Sequence, residues 1–232
     1  MPNVQPSVDA FLGELKTIEK AFDKDLSKLA AKLKTASDTE IINAARQLNL
    51  LQELMDAGLV DALDGFDKEY TKMLSAAISE AKKRGIPAFA GASIEGMEVL
   101  RDLNYERLLG QFGGYAKELE IGLFRGVYAN QSISTITTQL GKTGLISSQL
   151  KVIAYDGLKI FDDMARYKAF QGQDVKWVYK GPDDKVTRED CQETLNGEKN
   201  KGEGYTEKEV NNSRTPFGIR GGFNCRHSWQ IR

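Results

Sequence analysis

Phe11, Leu15, Ile18, Phe22, Leu26, Leu29 and Leu33 follow one another by threes and fours, with Glu, Lys and Asp between them. This stripe restricts the fold more than any other feature of the chain. Side chains at i, i+3, i+4 and i+7 share one face of a 3.6-residue helix, so the run predicts a single amphipathic helix. A helix of about 28 residues would be close to 40 Å long, which suits either a bundle or an extended arm reaching a neighbouring subunit. The stripe is read as core or helix-partner surface, not as a cofactor site.

Helical pattern continues for most of the chain. Ser37 and Glu40 in "SDTE" are placed as a capping box, which predicts a second helix carrying Ile41, Ala45, Leu48, Leu51 and Leu54 and weakening at Gly58. A third run from Leu59 to Arg84 ends in "KKRGIP", where cations, Gly85 and Pro87 form a helix stop. "GIPAFAGAS" marks a sub-boundary at 85–92. The following helix is expected to be interrupted near Gly113-Gly114. A shorter helix in "SISTITTQLGKTG" comes next, then a long amphipathic one with Leu150, Ile153, Leu158, Phe161, Met164 and Tyr167 as core.

The period changes at Asp174. "VKWVYKG" is short, β-branched and aromatic, and predicts a strand. "GPDD" is a turn, and "TREDCQETLN" a helix capped at Thr187 or its neighbours and stopped by Gly197. "GEKNKGEG" reads as a polar loop, "YTEKEVNN" as a short helix capped at Thr206, and "SRTPFGIRGGFN" as irregular. "CRHSWQIR" is expected to return beside the first strand. The predicted class is therefore mainly α: a long helical region over 1–172, then a small α+β module over 173–232 with a short antiparallel sheet. No internal repeat is evident.

Composition narrows the function classes. A net charge of -1 gives no global attraction to nucleic acid or anionic membrane. Two cysteines in 232 residues do not make a disulfide scaffold. The amino terminus has no basic leader before an apolar core, and no stretch approaches the roughly 18 apolar residues of a membrane span. A soluble chain made in a reducing cytoplasm is expected, with no membrane partner.

Cys191, Cys225 and His227 are the only soft metal ligands in the chain. Zinc takes four ligands from thiolate, imidazole and sometimes carboxylate, and Asp184 or Asp190 could add an oxygen. Three arrangements are open: a metal site, a Cys191–Cys225 disulfide, or two packed free thiols with His227 hydrogen-bonded to a neighbour. The last is the ordinary state of buried cysteine. A Cys191–His227 nucleophile pair for a hydrolase or transferase lacks any accompanying signature, so a non-enzymatic protein is expected. "GQFGGY" and "GIRGGF" lack the strand–helix context of phosphate-cradling loops.

From Val210 onward Arg214, Arg220, Arg226 and Arg232 stand without any Asp or Glu, alternating with Phe217, Phe223 and Trp229. Such a segment could contact phosphates or single-stranded nucleic acid. Alternatively these arginines bridge the acidic "PDD" and "TREDCQE" segments inside the module.

The last third resembles the Mu-type minor head proteins, the phage head morphogenesis family. Members carry an aromatic strand, an Asp-x-x-Thr-Arg-x-x-Cys element, a glycine, a proline-containing loop and then Asn-Cys-Arg followed by Cys or His. The matching positions are Trp177, Asp184, Thr187, Arg188, Cys191, Gly197, Pro216, Asn224, Cys225, Arg226 and His227, within roughly 145–230. Many members have a histidine before Asn-Cys-Arg; this chain has Gly-Gly-Phe there. The resemblance implies a virion component, assembled in the bacterial cytoplasm, that joins the portal and other head or neck proteins and can meet viral DNA during packaging or ejection. A homo-oligomer is a further candidate assembly. It also implies that Cys191 and the Cys225-Arg-His227 run form two halves of one knot over Trp177 and Trp229. Arg188 and Arg226 would then offset Asp183, Asp184 or Asp190.

Overall fold

The structure, a computed structural model, describes residues 4–87, 91–140 and 142–232. It is mainly α with one small sheet. Helices α1 (Gln5–Lys34), α2 (Asp38–Gln47), α3 (Leu50–Leu54), α4 (Val60–Lys83), α5 (Gly91–Tyr128), α6 (Ile133–Leu140) and α7 (Ser148–Phe170) precede β1 (Trp177–Lys180). Then come α8 (Glu189–Asn196), α9 (Glu198–Lys201), α10 (Glu207–Asn211) and β2 (Ser228–Ile231). Among the described residues no helix is long and apolar enough to cross a membrane.

Two compact units result. One comprises 5–67 and 105–151; the other comprises 1–4, 68–104 and 152–232. α4, α5 and α7 each contribute residues to both units. The expected sub-boundary at 85–92 falls inside a single unit, and its residues 88–90 lie outside the described ones.

The unit built from 5–67 and 105–151 is a helical bundle. α1 buries Phe11, Leu15, Ile18, Phe22, Leu26 and Leu33, with Ala30 in place of the expected Leu29. Phe11 stacks on Phe66 at 4.4 Å, and Glu19 accepts the Leu145 N–H at 2.5 Å. The Ser37–Glu40 capping box is present. The helix it opens is shorter than expected, because Leu48 turns extended and Asn49 caps a new start at α3. A π-helical turn, Met55–Leu59, follows with Gly58 at φ 109°. α5 runs unbroken through Gly113-Gly114, where buried Phe112, Tyr115, Ala116 and Leu119 hold its inner face.

In the other unit α7 is the central rod. Leu158, Ala165 and Phe170 are buried, and so are Asp156, Lys159, Asp162 and Asp163. Tyr70 of α4 packs edge-on to Phe161 at 4.9 Å, and Glu80 accepts from Arg166 at 2.6 Å. β1 and β2 pair antiparallel, with Trp177 opposite Ile231 and Tyr179 opposite Trp229. The outer edge of β1 is closed at Trp177 by a backbone bridge to Tyr205 and at Tyr179 by a side chain: the Asn200 Nδ2 donates to the Tyr179 carbonyl at 2.9 Å, and its Oδ1 accepts the Tyr179 N–H at 2.5 Å. That Asn200 belongs to α9, a helical turn within the segment expected to be loop. Phe217 ties the layers together, stacking on Tyr167 at 4.6 Å and meeting Trp177 edge-on at 4.7 Å.

Candidate functional site

The turn after β1 is organised by Asp184 and Thr187. The Thr187 hydroxyl donates toward the Pro182 carbonyl at 3.0 Å and accepts the Asp184 N–H at 3.1 Å, while Asp184 Oδ1 accepts the Val186 N–H at 3.1 Å. This closed turn aims α8 so that Cys191, on its first turn, faces inward. Arg188 stands at the helix N-cap without capping by side chain. Its guanidinium donates instead to the carbonyls of Gly221 and Phe223, at 2.7 and 2.6 Å, rather than to Asp183, Asp184 or Asp190.

The irregular segment is wound tightly enough to bring the second motif half back. Gly218, Arg220, Gly222 and Asn224 all take positive φ, between 54° and 86°. Asn tolerates that region and Gly has no Cβ to oppose it, which accounts for "GIRGGFN" locally. The Asn224 N–H is received by the Asp156 carboxylate of α7 at 2.9 Å. Arg226 closes the loop from outside, its guanidinium making a bidentate pair with Asp184 at 2.7 and 2.8 Å. That pair holds the Asp184 carboxyl well below the usual carboxylate range.

Cys191, 34 positions earlier in the chain, and Cys225 thereby meet, their sulfurs unbonded at 3.8 Å. His227 Nδ1 lies 3.7 Å from Cys225 Sγ, and the three ligand atoms all lie within 4.8 Å of one another. All three side chains are buried. His227 Nε2 donates to the Pro182 carbonyl at 2.8 Å, which fixes the ring with Nδ1 turned toward the sulfurs. Burial opposes ionisation of Cys225, but its polar contacts with His227, Tyr179 and the Gly221 backbone outweigh it and bring the thiol down to about 6. Burial holds the Cys191 thiol up.

Two glycines make room for the cluster. A Cβ on Gly181 would run into the His227 ring, and one on Gly221 into Cys191 Sγ. One side of the cluster borders a cleft of about 180 Å³ lined by Val186, Thr187, Arg188 and Asn224 among others.

The donor set fits a tetrahedral soft metal. Zinc–sulfur bonds of about 2.3 Å and zinc–nitrogen bonds of about 2.0 Å imply tetrahedral edges of about 3.8 Å between sulfurs and about 3.5 Å from sulfur to nitrogen. Two of the three observed separations are 3.8 and 3.7 Å, and the third, from Cys191 Sγ to His227 Nδ1, is within 4.8 Å. Asp184 and Asp190 do not contribute; the first is held by Arg226, and the second lies 3.3 Å from Arg214.

The terminal arginines do not form one exposed face. Arg220 is 1 % exposed and lies among Asp156, Asp163 and the carbonyls of Cys225 and His227. Arg214 pairs with Asp190 and Glu193, and Arg226 with Asp184; Arg232 is exposed and makes no ion pair among the described residues. Of the three aromatics, Phe217 and Trp229 are buried and Phe223 is exposed. The bridging arrangement thus accounts for Arg214 and Arg226, while Arg220 finds its acids on α7.

Trp177 and Trp229 lie beneath the cluster as core, with the Trp229 indole N–H donating to the Thr215 carbonyl at 2.6 Å. Three participants had gone unmarked by sequence: Tyr179, Arg220 as a buried residue, and the acids of α7. The acids sit at helical spacing among apolar residues, which reads as a solvated face. Tyr179 reads as an ordinary strand aromatic.

Comparison of the chain with protein-family models, with curated proteins and with solved structures found no match.

Proposed function

We propose that this chain is a minor head protein of a Mu-type bacteriophage, a structural component of the virion. In this reading it assembles in the bacterial cytoplasm with the portal and other head proteins. One observation carries it. The two motif halves on which the resemblance rests meet in space through three separate links: Cys191 to Cys225, Asp184 to Arg226, and Arg188 to the Gly221 and Phe223 carbonyls. A chance agreement of letters gives no reason for those residues to converge.

The same geometry favours a structural role for the module over a catalytic or DNA-reading one. Both thiols are at most 2 % exposed, and three of the four terminal arginines are already paired, two with acids of the module and Arg220 with those of α7. The knot compensates for a small core, since a segment of about 60 residues buries only about 60% of its unfolded surface.

The test is the composition of the particles made by the genome that encodes this chain. Peptides of the chain should co-purify with procapsids and mature virions through a density gradient. Their absence from both particles overturns the reading.

A further inference from the structure

The cluster offers three ligand atoms where a tetrahedral metal takes four. We propose that Tyr179 supplies the fourth, so that one divalent ion of the zinc class is held by Cys191 Sγ, Cys225 Sγ, His227 Nδ1 and Tyr179 Oη. The inference does not depend on the virion reading.

Distances carry it. Tyr179 Oη lies 3.4 Å from Cys191 Sγ and 3.6 Å from Cys225 Sγ. Metal–sulfur bonds of about 2.3 Å and metal–oxygen bonds of about 2.0 Å imply a tetrahedral sulfur–oxygen edge of about 3.5 Å. Together with the sulfur–sulfur and sulfur–nitrogen separations, four edges of one tetrahedron lie within about 0.2 Å of the values set by those bond lengths.

The phenol is also held in advance. Tyr179 is fully buried; its ring stacks on the His227 imidazole at 5.2 Å and 10°, and packs against Trp229 at 4.8 Å. Asn200 fixes its backbone on one side and β2 on the other. A fully ordered ligand binds without the entropy cost of fixing a mobile side chain. The cleft beside the cluster is lined by Cys191, Cys225 and His227. A water entering there would have to displace a phenol oxygen already standing 3.4 and 3.6 Å from the two sulfurs.

The protons balance. As the ion enters, Cys191 and Tyr179 each give up a proton to solvent, Cys225 does so where it still carries one, and His227 offers its Nδ1 lone pair, releasing to solvent any proton held there. Two thiolates, a phenolate and a dication leave one net negative charge. Arg188 faces that charge across the Gly221 and Phe223 carbonyls, and Arg220 faces it across those of Cys225 and His227.

The experiment uses the full chain, reduced and stripped with a chelator, titrated with Zn2+ and separately with Co2+. One equivalent should bind, and a phenolate difference spectrum should rise and saturate at that equivalent. Cobalt should show thiolate charge-transfer bands with the intense d–d absorption of a tetrahedral site. Tyr179→Phe should bind about 10–100-fold more weakly, without the phenolate signal. Failure of the wild-type chain to bind either ion overturns the proposal. So does binding without a phenolate signal, or binding by Tyr179→Phe as tight as by wild type, since either gives the fourth position to water. Should Tyr179→Phe fail to fold by circular dichroism, the wild-type difference spectrum alone decides.

Discussion

Arg220 and Asp163 face each other at 3.3 Å where solvent reaches neither side chain. The same guanidinium donates to the carbonyls of Cys225 and His227, at 3.1 and 3.4 Å. A charge on the central helix α7 therefore sets the position of the backbone that carries two of the three cluster donors. Burying such a pair costs desolvation at both ends, and breaking it is worse than never having built it.

Removing one partner should expose that asymmetry. Arg220→Met is expected to destabilise the chain by about 3–5 kcal/mol at pH 8, because Asp163 and Asp156 are left in the interior without their cation. The double substitution Arg220→Met, Asp163→Leu should recover much of the loss. Urea unfolding of the two single variants and the double one measures the coupling.

Asp163 also predicts the pH dependence. Burial pushes its carboxyl up to about 7, although Arg220 and Lys159 pull the other way; Asp162 adds to the rise and Arg166 opposes it. Since an unfolded aspartate titrates near pH 4, the folded chain keeps a proton between about pH 4 and 7 that the unfolded chain has lost. Stability from this group is full below about pH 4 and is lost as pH rises to about 7, by on the order of 1 kcal/mol per pH unit. Asp163→Asn should flatten the slope of unfolding free energy against pH over that window.

Gly221→Ala should loosen the knot. The new methyl would meet Cys191 Sγ, so the sulfur or the 218–224 loop must move. A loss of about 1–3 kcal/mol is expected, with weaker Zn2+ binding in the same variant. Gly221→Ala matching wild type in both urea unfolding and metal titration would contradict the close approach.

In the bundle unit, Ser37→Ala removes a cap that accepts the Glu40 N–H. The expected cost is about 1 kcal/mol. Ser37→Asp should keep most of the stability, since aspartate caps as well. Thermal unfolding of the two variants separates capping from a general effect of substitution.

Local signals in the sequence were read well where one residue type has one strong physical use. Ser37 and Glu40 form their box, Thr206 and Glu209 form another, and "VKWVYKG" pairs with "CRHSWQIR". The convergence of Cys191 on Cys225 and His227 was also legible, because soft ligands are few here. What escaped was any choice made by tertiary surroundings. Gly113-Gly114 favours a break in isolation, yet packing on both sides carries α5 through. Asp156 and Asp163 sit at positions that solvent would ordinarily reach; α7 became the centre of its unit, and charges that pattern places outside ended inside, matched by an arginine expected at the surface. The alternation of Arg and aromatic residues after Val210 suggested one exposed strip, whereas the left-handed turns at 218–224 scatter those side chains in different directions.

The division of α4 and α5 between two compact units bears on how the polypeptide is made. Unit 5–67 with 105–151 has all its parts once residue 151 has left the ribosome, while the other unit must wait for β2 at 228–231. At a synthesis rate of roughly 5–20 residues per second, that wait lasts on the order of 4–16 s. During it Tyr70 has yet to meet Phe161, whose ring later packs edge-on against it.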